Sequence, residues 1–299
     1  MTATTVDTAT DTSTAAPPAP PRCRLLHGDR VLISALSGLA LLAVVLLVGP
    51  WLWPHGSNTV HLTEQLLPPS SAHPLGTDNL GRDMMARVLT GARTSLGAGL
   101  IVVAAGAVLG CTTGLLAGAL GGYVDTALTW LTNSILCFPA IMLAMAVVMA
   151  YKPGVTAIVI GLAIHSFPWY MRTLRGEVLR ISSLDFVRST HAIGATRGRV
   201  LFRHILPHLI STIVLQMAAV FGASVLSLAA LGFLGMGAQA PTAELGAMIT
   251  DGQQFFLTGQ WWLAAFPGLV LLIAVTLTTI VADRARELLD PRGEFIAAE

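Results

Sequence analysis

The chain has 299 residues, 54% hydrophobic and 11% charged, with mean hydropathy +0.72 and a formal net charge of +1. Soluble domains carry about 25% charged residues, so this composition describes an integral membrane protein and excludes an ordinary soluble enzyme. The near-zero net charge makes no case for nucleic acid, because the basic residues sit in local clusters.

Residues 1–30 are rich in Thr, Ala and Pro and read as a disordered cytoplasmic tail. About twenty mostly apolar residues cross a bilayer core, and six runs qualify: 31–53, 94–119, 126–150, 154–171, 208–235 and 261–282. The first lacks an evident cleavage site and reads as an uncleaved span. The external connection 54–92 ends in His73-Pro74-Leu75-Gly76-Thr77-Asp78 and Gly81-Arg82-Asp83, where the glycines predict a turn before a short helix. Glycines at 106, 110, 114, 118 and 121–122 give the second span a small-residue face for close helix packing.

Asn133 and Gln216 are expected to hydrogen-bond between helices. The fourth span is the least apolar, with His165, Ser166 and Pro168. His165 is the one ionisable side chain well inside a span; a hydrogen bond to a neighbouring helix is expected, with solute contact the alternative. No charged residue occurs in 209–243 or 261–282. Gly222, Gly232, Gly235 and Gly237 suit packing or bending, and Met217 and Phe221 suit a core or a pore. Glu244 and Asp251 fall in the external connection 236–260, as part of a solvated re-entrant segment or as contacts for an external protein. Residues 285–299 read as a cytoplasmic tail. Cys23, Cys111 and Cys137 have no metal-ligand spacing and indicate neither a disulfide framework nor a redox pair.

With both termini inside, Arg22, Arg24, Arg30, the arginines of 172–207 and Arg284, Arg286 and Arg292 are cytoplasmic. Arg82, Arg87, Arg93 and Lys152 remain outside, a balance that favours this orientation. The loop 172–207 itself carries seven arginines against Glu177 and Asp185. Ser182 and Asp185 have capping-box spacing, and Phe186, Val187, Thr190 and Ile193 recur at helical steps. Gly194 suits the left-handed residue that stops a helix. Thr196 can cap a second short helix with Val200, Leu201 and Ile205 on one face, and Pro207 fits the first turn of the next. A helical elbow at the membrane surface follows, either lying on anionic lipid or docking a soluble partner.

A P-loop needs Gly-Lys-Ser/Thr, and the single lysine, Lys152, stands between Tyr151 and Pro153. Nucleotide hydrolysis therefore needs another polypeptide. No Asp or Glu lies mid-span, which argues against a stand-alone ion-coupled carrier. Ser224 and His165 lack the surroundings of an intramembrane protease, and no His-Glu-x-x-His run occurs.

Gly194 and Ile205-Leu206-Pro207 resemble the cytoplasmic loop of binding-protein-dependent ABC importer permeases. The family's Glu-Ala-Ala positions are here Arg188, Ser189 and Thr190, so a salt bridge from that acid does not carry over. The run 73–83, Gly121-Gly122-Tyr123-Val124-Asp125 with Phe138-Pro139, Trp261-Trp262 with Phe266-Pro267-Gly268, and Leu289-Asp290-Pro291-Arg292 resemble the dipeptide, oligopeptide and nickel branch. The resemblance implies an all-α fold of type I importer permease architecture, with about six spans in 31–284, in a bacterial inner membrane. It implies a non-catalytic half-pore working with a second related permease and an external solute-binding protein. Two ATP-binding subunits, or one two-domain ATPase, would bind ATP and Mg. Small peptides are the expected cargo, with nickel, a metal chelate or glutathione as alternatives. The implied coupling residues are Asp185, Phe186, Val187, Ser189, Thr190, His191, Ala192, Ile193, Gly194, Ala195, Leu206 and Pro207.

Overall fold

The computed structural model describes residues 30–192 and 194–289. Residues 1–29, Ile193 and residues 290–299 lie outside the described residues, as do the side chains of Arg188, His191, Ala192, Arg197, Leu288 and Leu289. Ten helices follow in order: α1 Arg30–Leu52, α2 Met84–Leu120, α3 Gly122–Leu136, α4 Ala140–Tyr151, α5 Val155–Ser182, α6 Asp185–Ala192, α7 Arg197–Val200, α8 Leu206–Phe233, α9 Leu245–Gln253 and α10 Trp262–Leu289. A π-helical turn, Leu201–Ile205, joins α7 to α8. Among the described residues no strand forms.

Four helices are long and apolar enough to cross a membrane: Arg30–Leu52, Met84–Leu120, Gly198–Phe233 and Trp262–Glu287. The pair α3–α4 makes a fifth if taken as one span. It is not the straight helix that the apolar run 126–150 predicts. The helices meet at 89° across Cys137–Pro139, because Pro139 has no N–H for the ladder and its ring disfavours helical backbone at Phe138. The fourth expected span, 154–171, falls in α5, which is not among the helices apolar enough by that measure to cross and does not stop near 171. It runs on to Ser182, since its arginines end the hydropathy run but not the helix.

The second span also differs from expectation. No separate short helix precedes it. Asp83 caps α2 directly, accepting from the Ala86 N–H at 2.9 Å, and the helix continues for 37 residues, about 56 Å at 1.5 Å per residue. The expected turn is present: Gly76 and Gly81 have φ of +77° and +71°.

The glycine face of α2 sits against α5. A Cβ on Gly110 would strike the Phe167 carbonyl oxygen and the Tyr170 Cβ, and one on Gly114 would lie 2.7 Å from the Met171 oxygen. Small residues there let two backbones approach, as such faces do in membranes. By contrast α1 buries only Ala35 and Leu46, as suits a helix apolar all round with lipid on most sides.

A cap, residues 53–83, closes over the ends of α2, α9 and α10 at the end of the bundle away from α6. His73 Nδ1 lies 2.7 Å from Asp83 Oδ2, and the Trp53 indole donates to Asp83 Oδ1 at 3.0 Å. Arg82 Nε donates to Asp78 at 2.6 Å, and Arg87 lies 3.4 Å from the same carboxylate. His73, Asp78 and Asp83 are thus all engaged with protein partners.

Candidate coupling elbow

At one end of the bundle α5 stops at Ser183, whose hydroxyl donates to the Arg180 oxygen at 2.7 Å. Ser182 belongs to the last turn of α5 and does not cap α6. The new helix starts at Asp185, with the Val187 N–H bonded to the Leu184 oxygen. Capping-box spacing misplaces the start because α5 extends further than its apolar part. The far end of α6 is as expected. Gly194 has φ +88°, and the Ala195 N–H donates to the Thr190 oxygen at 3.2 Å, the long bond of a Schellman end that only a residue comfortable at positive φ allows.

Thr196 caps α7, accepting from the Arg199 N–H at 3.4 Å. The second short helix is not separate, however. It passes through the π turn into α8, where the Leu206 N–H bonds to the Leu201 oxygen five residues back. Pro207 explains the wide turn: its missing N–H and its ring forbid a regular ladder there, and a π bulge absorbs the mismatch.

The apolar face of the elbow points inward. Val187, Val200 and Ile205 are 1%, 2% and 4% exposed, packed with Leu174, Val178, Ile181 and Leu209 from α5 and α8. Ala195 and Leu201 border the same cluster. Asp185, Phe186, Ser189, Gly194 and Pro207 are exposed, while Thr190 and Leu206 are half-buried. Phe186 is 43% exposed, with its ring centroid 6.1 Å from that of His208. A helix lying on lipid needs its apolar stripe for the membrane. Here that stripe is already used inside the chain, which leaves a small polar and aromatic surface outward.

Two contacts beside the elbow are not evident from sequence. Arg175 on α5 forms a two-pronged pair with Asp125 on α3, through Nε to Oδ1 and through Nη2 to Oδ2 at 2.7 Å. Fifty residues separate the partners; the one sequence signal is an acid two residues after Tyr123 and a later run of arginines in 172–207. One turn earlier, Arg172 donates to the Asn133 side chain at 2.9 Å, so Asn133 does bind between helices as expected.

Of the remaining expectations, some are corrected and some are met. Glu244 is 0% exposed and cannot meet an external protein. It caps α9 and accepts from Gly246 and Ala247 N–H at 2.8 and 3.0 Å and from Ser95 Oγ at 3.1 Å. Burial pushes its carboxyl above the ordinary value, against the pull of those three donors. Gly232 and Gly237 leave the room it occupies. Asp251 lines a cleft of about 260 Å³ with Arg82 and Arg87. Phe221 packs in the core with Leu89 and Val225. His165 Nδ1 is shielded without a partner, and Gln216 makes no interhelical bond among the described residues. Both instead line a cleft between α5 and α8.

The sequence profile described as binding-protein-dependent transport system inner membrane component matches residues 110–294. The probable D,D-dipeptide transport system permease protein of Escherichia coli K12 is 36% identical, with 90% of each chain covered. The glutathione transport system permease protein of Pectobacterium atrosepticum is 39% identical over 75% of this chain and 74% of that one. The dipeptide transport system permease protein of Alkalihalophilus pseudofirmus is 35% identical, with 86% of each covered. Among solved structures, a chain of the MetNI methionine ABC transporter in an inward-facing conformation overlays with a TM-score of 0.55 at 21% identity, covering 69% of this chain and 98% of that one. That likeness concerns the fold. The matching profile and these relatives place the chain in the family of binding-protein-dependent transport system inner membrane components.

Proposed function

We propose that the chain is half of the pore of an ATP-driven importer of small peptides, and that α6 with the turn at Gly194 receives motion from separate ATPase subunits. The observation that carries the coupling role is the inward-turned stripe of Val187, Val200 and Ile205. A surface helix clamped onto the ends of α5 and α8 transmits displacement into the bundle, and its outward face is free for a soluble partner. Three relatives named for dipeptide or glutathione transport support a peptide cargo.

In this reading a second related permease completes the pore, and an external solute-binding protein delivers the peptide. Two ATP-binding subunits, or one two-domain ATPase, hold ATP and Mg on the cytoplasmic side, where both termini also lie. The chain supplies no catalytic residue. The test is uptake of a labelled dipeptide into proteoliposomes holding the purified subunits. Uptake is expected only with ATP and the ATPase subunits present; uptake without them refutes the reading.

A further inference from the structure

Several hydroxyls of the spanning helices are satisfied on their own helix. The hydroxyls of Thr112, Thr113, Ser134, Thr278 and Thr279 donate to carbonyl oxygens one turn back on their own helices, which hides their polarity from the bilayer. Gln216, Ser224 and Ser227 make no such bond among the described residues, and His165 Nδ1 has no partner. These four side chains line one cleft of about 290 Å³ between α5 and α8, bordered by Ala140 just after the break of α3–α4. Gln216, Ser224 and Ser227 are eight and three residues apart, so they share one face of α8.

An amide or hydroxyl left facing hydrocarbon is strongly unfavourable. His165 Nδ1 is itself shielded inside the protein, but the polar atoms of Gln216, Ser224 and Ser227 along the cleft call for a polar partner that the described residues do not supply. No carboxylate, Lys or Arg lines the cleft. Its donors and acceptors are neutral and mixed, the complement of a peptide group with one N–H and one C=O.

We propose that this cleft is the chain's share of the solute path, where His165, Gln216, Ser224 and Ser227 form an uncharged track for the main-chain amides of a peptide in transit. The proposal rests on the peptide-importer reading above. Such a track is indifferent to side chains and releases what it takes, since each neutral hydrogen bond exchanged with water nets only about 1 kcal/mol. Selection among peptides then falls to another component.

The experiment uses the complete transporter in proteoliposomes with the dipeptide Ala-Ala. Gln216→Leu combined with Ser227→Ala should cut maximal uptake by about tenfold, the loss of one to two hydrogen bonds, without changing ATPase association. Ser227→Cys, with Cys23, Cys111 and Cys137 replaced by Ser, should react with a charged, membrane-impermeant thiol reagent. Excess Ala-Ala should slow that reaction, whereas Leu226→Cys, at a position 60% exposed, should stay inert as a lipid-facing site. Wild-type uptake by the double variant overturns the track, as does an inert Ser227→Cys or one that cross-links to the second permease regardless of peptide. If the wild-type transporter moves nickel but no dipeptide, the cargo reading and the amide track fall together. Dipeptide uptake with an inert Ser227→Cys overturns the track alone.

Discussion

Replacing Glu244 by Ala removes the acceptor on which α2, α8 and α9 converge. Three hydrogen bonds disappear, from Ser95 Oγ and from the Gly246 and Ala247 N–H groups. Loss of a helix cap costs about 1 kcal/mol. That figure covers these same two N–H bonds at an exposed helix end; where the N–H is buried and left without a partner the cost rises to about 1–3 kcal/mol each, and release from burying a carboxyl offsets part of it. A net loss of about 3 kcal/mol is expected, which lowers protection of the α9 amides about 150-fold at 1.4 kcal/mol per decade. The assay is hydrogen exchange on protein purified in nanodiscs, with thermal unfolding alongside. A double-mutant cycle sharpens it. A Cβ on Gly232 would meet the Glu244 carboxylate, its Cδ at 3.0 Å, so Gly232→Ala should cost about 1–3 kcal/mol in the wild type by overpacking. It should cost clearly less beside Glu244→Ala, giving a coupling of at least about 1 kcal/mol. Unchanged α9 exchange in Glu244→Ala, or additive effects in the cycle, would refute the argument that this carboxyl ties α2, α8 and α9 together.

Glu244 also predicts a pH dependence. Its native value lies above the ordinary 4.5, so the native state keeps a proton that the unfolded chain releases. That stability is complete below 4.5 and is lost as pH rises through the raised native value; melting temperature against pH should flatten over this window in Glu244→Gln. Gly110→Val should destabilise by about 3 kcal/mol or more because the new atoms meet backbone on α5. Gly97→Ala, with open space around its Cβ, should be neutral or slightly stabilising by helix propensity; equal melting temperatures for the two variants would contradict the packing account. Asp125→Arg should weaken ATP-driven uptake, and adding Arg175→Asp should restore it. The stability change itself should stay within about 1 kcal/mol, since the pair is partly exposed and screened. Failure of the swap to rescue uptake removes the pair from the coupling path.

Local features were legible in the sequence. The stop at Gly194 and the cap at Thr196 depend on residues within one turn, and the glycine face of α2 repeats every four residues. Misreadings came where hydropathy substitutes for geometry. An apolar run does not register the bend at Cys137–Pro139, and the arginines of α5 end the apolar stretch without ending the helix. Pairings across long separations left no pattern to read: Asp125 with Arg175 is 50 residues apart, and Ser95 with Glu244 is 149. The polarity of His165 and Gln216 was noticed, but its direction depends on how α5 and α8 face each other, which no single helix encodes.

The elbow's role is tested most directly by photo-crosslinking in membranes that contain the ATPase subunits. A photoreactive side chain at exposed Ser189 is predicted to capture the ATPase subunit, identified by mass spectrometry. One at Val187, 1% exposed, should capture only this chain. Gly194→Pro, which cannot hold φ +88°, should insert normally yet lose both the Ser189 cross-link and ATP-driven uptake. Capture of lipid alone at Ser189, or full uptake with Gly194→Pro, would contradict the claim that movement enters the bundle here.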